Sequence, residues 1–155
     1  EDPSKIWWDV RPHGLFPALE MRIADIYTRM EDGITIAAIY ASLLAMLTRL
    51  RHGNQRWRVH SNMLVRANRW LAERYGYDDG LVNFGCGERV PYADLLEEII
   101  ALVCADAQMV GCLVEVTRAR DIVANGTSAH HQVAISEKDK LDGAEERVAL
   151  ATAVN

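Results

Sequence analysis

The chain has 155 residues, 50% of them hydrophobic and 25% charged, with a formal net charge of -5 and 4 prolines. That balance suits one globular domain that buries about two thirds of its unfolded surface, and it excludes a disordered chain, a fibrous repeat and a small disulfide scaffold. No apolar run approaches ~18 residues, so no membrane-spanning helix is expected, and an acidic chain without a nucleic-acid motif points away from nucleic acid.

The first residues, Glu1-Asp2-Pro3-Ser4-Lys5, carry neither an initiator Met nor a signal pattern and read as sequence from the middle of a longer protein. Residues 6–11, Ile-Trp-Trp-Asp-Val-Arg, are rich in strand formers. Alternation puts Trp8 and Val10 on one face and Trp7, Asp9 and Arg11 on the other. Pro12 and Gly14 mark a turn. Residues 18–24 alternate again, with Leu19, Met21 and Ile23 opposite Glu20 and Arg22. The expectation is an antiparallel strand pair with one face packed on helices. The other face would present Asp9, Arg11, Glu20 and Arg22 to a polar site.

The period then turns helical. Ile36, Ile39, Tyr40, Leu43, Leu44, Met46, Leu47 and Leu50 form an apolar stripe over about 31–50, ended by Gly53-Asn54. A second helix is expected over 55–75, with Asn62, Arg66, Arg69 and Glu73 on one face and Leu64, Asn68, Leu71 and Tyr75 on another. Residues 76–91 read as loop. A third helix over 92–110 opens with Asp94, Glu97 and Glu98 at the positive end of its dipole and closes at Gly111. A fourth spans 113–124, a fifth starts with Thr127 or Ser128 as N-cap, and a sixth follows Asp142-Gly143.

Charge is unevenly placed. Residues 1–75 carry 11 Lys+Arg against 8 Asp+Glu, whereas residues 76–155 carry 6 against 14. Seven arginines and no lysine lie between Arg49 and Arg74. Such a bias suits forked recognition of phosphate or carboxylate; a solvated helix face, or pairing with the acidic second half, would produce the same composition. Cys86, Cys104 and Cys112 are odd in number and lack CxxC spacing, which points to reduced thiols in a cytoplasmic protein. Cys104 and Cys112 sit in apolar sequence, and Cys86 lies between two glycines.

Residues 7–25, WWDVRPHGLFPALEMRIAD, carry the most chemistry. Two strands that place a carboxylate and two guanidiniums on one surface suit a polyphosphate with its metal: the carboxylate ligates a hard cation, and the arginines offset charge on a transferring phosphoryl group. Glu20 and Arg22 pairing with neighbours on a solvated sheet face is the plainer reading of the same spacing.

The segment resembles the carboxylate–amine ligases, the type 2 glutamate–cysteine ligase family, whose signature is a tryptophan pair, Asp, a hydrophobic residue, Arg-Pro, a short turn, then Thr-hydrophobic-Glu-x-Arg-x-x-Asp. The likeness continues through Asn54-Gln55-Arg56-Trp57-Arg58-Val59, Asn68-Arg69-Trp70, Arg74-Tyr75-Gly76, Val90-Pro91-Tyr92-Ala93-Asp94-Leu95-Leu96, Ala119-Arg120-Asp121-Ile122 and Gly126-Thr127-Ser128-Ala129. The resemblance implies an α+β chain, the C-terminal part of a glutamine-synthetase-like fold: two antiparallel strands with the active-site motif in 1–27, then five to six helices in 28–155. It implies ATP and Mg2+ (or Mn2+) as cofactors and phosphorylation of a carboxylate, typically the γ-carboxylate of glutamate, before capture by an amine. Glu20 would be a metal ligand, Arg22 would contact phosphates or the acyl phosphate, and Arg11 would hold a substrate carboxylate or phosphate. Asn68, Arg69 and Arg74 would be secondary substrate or ATP contacts, with Asp25 buttressing the arginines.

Several positions depart from that pattern. Ala18 replaces the usual Thr, Arg66-Ala67 lacks the usual acid, and His130-His131 stands where Asp-Arg is usual, as an expected surface substitution. The resemblance also places the family's other metal-ligating glutamates in an N-terminal half that this sequence does not include. An N-terminal half or second polypeptide is therefore the expected partner, in an oligomer acting on a small acid and a small amine. A non-catalytic ligase-like subunit for assembly or regulation is the alternative.

Overall fold

A computed structural model describes residues 5–24 and 27–139. Asp25 and the helix expected after Asp142-Gly143 lie outside them. The chain is α+β, with two small antiparallel sheets and six helical segments among the described residues. Strands β1 (Val10–Pro12) and β2 (Leu19–Met21) pair antiparallel, with Arg11 facing Glu20 in register. The turn between them is held by the side chain of His13, whose Nδ1 accepts from the Leu15 and Phe16 amides at 3.0 and 3.2 Å.

The core is built by α1 (Met30–His52) and α3 (Tyr92–Val110), with short helices α4 (Leu113–Thr117) and α5 (Ala119–Asn125) closing over them. On α1 the buried positions Thr35, Ala38, Ser42 and Met46 follow a spacing of three or four, which is one helical face. They meet Leu96, Ile100, Val103 and Ala107 of α3, again at helical spacing. Ser42 is fully buried beside this contact, and its hydroxyl is satisfied by the Ala38 carbonyl at 2.8 Å. Glu31 and Asp32 at the start of α1, and Arg49, Arg51 and His52 at its end, match the helix dipole. By length and composition α1 is also apolar enough to cross a membrane, a correction to the expectation that no segment would qualify. Its apolar residues are interrupted by Thr35, Ser42 and Thr48, so no continuous run exists although the average is high.

Three further expectations change. The helix expected from residue 55 is α2, Asn62–Tyr75; Gln55–His60 stay non-helical, and the Ser61 carbonyl takes the Leu64 and Val65 amides to close the first turn. The segment read as loop contains a hairpin, β3 (Leu81–Val82) with β4 (Arg89–Val90). It is tied to α2 by the Asn68 side chain, which donates to the Val82 carbonyl at 2.8 Å and accepts from the Val82 amide at 2.9 Å. The helix expected over 113–124 breaks at Arg118, one residue after Thr117, whose hydroxyl donates back to the Val114 carbonyl at 2.9 Å. The last described helix, α6 (Ser128–Asp139), starts where the N-cap signal placed it.

At Gly80 the turn demands glycine on two grounds. Its φ is +69°, and a Cβ there would run into the Val90 carbonyl oxygen of β4. Gly80→Ala is expected to destabilise the chain by more than about 1 kcal/mol in urea unfolding. A variant indistinguishable from the parent would show that the hairpin closes some other way.

The two sheets differ in cover. The expected packing of β1–β2 on helices is not found among the described residues: Trp8, Val10, Leu19 and Ile23 are all exposed. A two-stranded sheet of three-residue strands has one buried face only if something else supplies it.

Candidate active site

The polar face of β1–β2 carries the candidate site. Register sets Arg11 against Glu20, and the Arg11 Nε donates to Glu20 Oε2 at 2.6 Å. The Arg11 hydrogen bond is the main cause holding the Glu20 carboxyl below the ordinary carboxylate range; partial burial opposes it, and the charges of Arg11, His13 and Arg22 add to it. Glu20 is therefore ionised at neutral pH. Its other oxygen lies 3.5 Å from His13 Nε2. Because Nδ1 of that ring accepts two backbone amides, the proton of the neutral imidazole sits on Nε2 and faces Glu20.

Arg22 stands beside this pair with its guanidinium 4.8 Å from the centre of the Trp7 ring, a cation–π contact at the surface. Its backbone amide donates to the Asp9 carbonyl at 2.7 Å, continuing the ladder beyond Met21. Asp9 in turn accepts from Arg69 of α2 at 2.8 Å, and Arg69 also donates to Glu73 one turn further on at 2.8 Å. The ion pair to Asp9 connects the arginine-bearing helix to the strands.

The structure thus brings together Arg11, Glu20 and Arg22, and joins Arg69 to them through Asp9. Asn68 is occupied by β3, and its amide serves the hairpin. Arg74 lies elsewhere. It borders a cleft of about 710 Å³ between the end of α2 and α6, walled by Tyr75, Tyr77, Tyr92 and His130, and none of Arg11, Glu20 or Arg22 lines it.

His130 was expected at the surface. It is half-buried instead, stacked on Tyr77 with ring centres 4.7 Å apart and 2.7 Å from the Thr127 hydroxyl. It braces the first turn of α6, a structural role. His13 carries no turn signal in the sequence, because the side chains that ordinarily cap their own turns are Asn, Asp, Ser and Thr.

A divalent cation takes several oxygen ligands. Among the described residues no group of three His, Cys, Asp or Glu side chains could hold a metal ion. Glu20 offers one oxygen free of Arg11, and Asp9 is committed to Arg69. The described residues do not make a metal site by themselves.

A family model described as glutamate–cysteine ligase family 2 matches residues 1–149. The chain is 50% identical over 155 residues to a protein of Rhodospirillum rubrum, covering all of this chain and 40% of that protein. It is 45% identical over 154 residues to one from a Jannaschia species, 99% of this chain and 40% of the relative, and 42% identical over 132 residues to one from Ruegeria pomeroyi, 85% and 34%. All three are provisionally named glutamate–cysteine ligase 2. The chain spans about two fifths of the length of the curated relatives it matches. It belongs to glutamate–cysteine ligase family 2.

Proposed function

We propose that this chain supplies Arg11, Glu20 and Arg22 to the active site of an ATP-dependent ligase that joins a carboxylate to an amine, with the γ-carboxylate of glutamate as the acid. The observation that carries the reading is the register pairing of Arg11 with Glu20, with Arg22 beside them on the same face of the strand pair, in a chain of this family. In the proposed reaction a carboxylate oxygen attacks the terminal phosphorus of ATP, the bridging P–O bond breaks, and ADP leaves. The amine nitrogen then attacks the acyl-phosphate carbon, phosphate leaves, and the nitrogen loses a proton. Arg22 would neutralise the transferring phosphoryl group and Arg11 would orient the acid while keeping Glu20 ionised. Arg69 would steady the strands through Asp9, with Asn68 and Arg74 further out.

In this reading Mg2+ or Mn2+ would take one ligand from Glu20 and the others from outside the described residues. The chain would form the C-terminal two fifths of a glutamine-synthetase-like fold and work in a cytoplasmic oligomer. Three free cysteines accord with a reducing compartment. The exposed apolar face of β1–β2 supports a site completed by further polypeptide.

The test is ADP release with glutamate and an amine present, for the isolated chain and for a chimera in which the chain replaces the matching region of the Rhodospirillum rubrum relative. The chimera is expected to turn over and the isolated chain to give no turnover above background. Turnover by the chain alone would sink the split-site reading. The non-catalytic alternative is favoured by the loss of a hydroxyl at Ala18, two residues before Glu20, and by the other departures from the family pattern at Arg66-Ala67 and His130-His131.

A further inference from the structure

We infer that His13 is a positioning residue for Glu20: its imidazole, locked by the turn it closes, presents a fixed N–H to the Glu20 oxygen that Arg11 does not bind. The inference rests on the ligase reading above and names the side chain that sets the direction of the Glu20 carboxylate.

The ring is held from three sides. Nδ1 accepts from the Leu15 amide at 3.0 Å and from the Phe16 amide at 3.2 Å. The His13 amide donates to the Ala18 carbonyl at 2.9 Å, which closes the turn at its base. The Phe16 ring packs against the imidazole, with ring centres 5.0 Å apart. A ring nitrogen that accepts cannot carry the proton, so the neutral imidazole is protonated on Nε2. Nε2 then has a hydrogen to direct and no lone pair to give, which makes His13 a donor to Glu20 and not a metal ligand.

Strand phase decides where that donor points. Arg11 opposes Glu20, and His13 opposes Ala18 two positions further along, so side chains 11, 13, 18 and 20 share one face. Ala18 offers only a methyl there and leaves the face to the ring. His13 Nε2 lies 3.5 Å from Glu20 Oε1, while Arg11 Nε holds Oε2 at 2.6 Å. At 3.5 Å the contact is longer than an ordinary hydrogen bond. It acts as an N–H dipole aimed at an ionised oxygen, with both side chains only 30% exposed. Turning the carboxylate about its last bond would give up both contacts at once. Each carboxylate oxygen has two lone-pair directions, so Oε1 keeps one for the chemistry. Capping the turn does not require this arrangement, because Asn, Asp or Ser would accept the same two amides. Of these side chains, only an imidazole also carries a donor far enough out to reach Glu20.

Two substitutions separate the roles, because Asn puts an acceptor where Nδ1 stands and Gln puts a donor where Nε2 stands. In the chimera with the Rhodospirillum rubrum relative, His13→Asn is expected to unfold at the same urea concentration as the parent. It should nevertheless release ADP at least about tenfold more slowly at saturating substrate, the low end for a group that orients a reacting side chain. His13→Gln is expected to unfold at lower urea and to recover most of the rate per folded molecule. A parental rate in His13→Asn, or a loss in His13→Gln as large as in His13→Asn, overturns the proposal. A second readout needs no turnover. With isotope-labelled histidine, nitrogen NMR of the chain should show the neutral His13 ring protonated on Nε2. The Glu20 carboxyl carbon signal should move more in His13→Asn than in His13→Gln. A proton on Nδ1 overturns the proposal, and if either variant does not fold, the tautomer of the unsubstituted chain decides. Failure of the ligase reading would look different: the Nε2 tautomer and the carboxyl shift present, in a chimera that releases no ADP.

Discussion

Glu20→Gln in the family-length chimera is expected to slow ADP release by about 10²–10³-fold, the scale of losing one well-placed charged group in a phosphoryl-transfer site. The substitution is close to isosteric. The amide oxygen can still accept from Arg11, whose Nε lies 2.6 Å from the carboxylate in the parent, so the turn and register should survive. What is lost is the negative charge. Because the Arg11 hydrogen bond holds the Glu20 carboxyl below its usual range, the parent keeps that charge at all pH values above the ordinary carboxylate range near 4. The ratio of parent to variant rates should therefore be flat from about pH 6 to 8. Arg11→Lys should also be slow, because an ammonium cannot reproduce the fixed guanidinium geometry. Asn68→Ala serves as a contrast. It removes both bonds to Val82 and is expected to lower stability with little change in rate per folded molecule. If Glu20→Gln leaves ADP release within about twofold of the parent, the chain is a scaffold in the assembly and not part of its chemistry.

How much of this was legible in the sequence depends on how local the cause is. The polar face of β1–β2 follows from period-two alternation and nothing else, so Arg11, Glu20 and Arg22 are found on one surface as expected. Helices α1 and α3 are equally local, long and periodic, with acids at their starts. The β3–β4 hairpin was missed because each strand has two residues, too short for alternation to register. Its stability comes from Asn68, 14 residues away from Val82 in sequence, and from Gly80 admitting the Val90 carbonyl. The break at Arg118 depends on one hydroxyl donating to a carbonyl three residues back. His130 looked like a surface substitution because its partners, Tyr77 and Asp78, lie about fifty residues upstream. The apolar face of β1–β2 stays exposed among the described residues, where the alternation alone had led to the expectation of helices packed on it.

The second large effect concerns stability and lies at the other end of α1. Arg49 donates to Asp106 of α3 with two parallel bonds, Nε to Oδ1 and Nη2 to Oδ2, both 2.8 Å. The two partners are unequally placed: the Arg49 side chain is 53% exposed and that of Asp106 only 1%. Removing the arginine strands a buried carboxylate, whereas the arginine itself can return to water. Arg49→Met keeps the apolar stem against α3 and removes the donors. It is expected to cost about 1–3 kcal/mol in urea unfolding, the penalty of leaving Asp106 buried without a partner, and to lower Tm by roughly 3–9 °C. The double variant Arg49→Met with Asp106→Leu replaces the pair by apolar groups and should return to within about 1 kcal/mol of the parent. The pH dependence follows from the same geometry. The Arg49 hydrogen bonds hold the Asp106 carboxyl below its usual value against the opposing effect of burial, so its contribution is complete above the unfolded value near pH 4 and is lost as pH falls through the lower folded value. The gap between parent and Arg49→Met should be widest above about pH 5 and narrow as pH falls through the lowered folded value of Asp106. A single variant as stable as the parent at neutral pH would mean that water entering where the guanidinium stood satisfies the Asp106 carboxylate as well as Arg49 does.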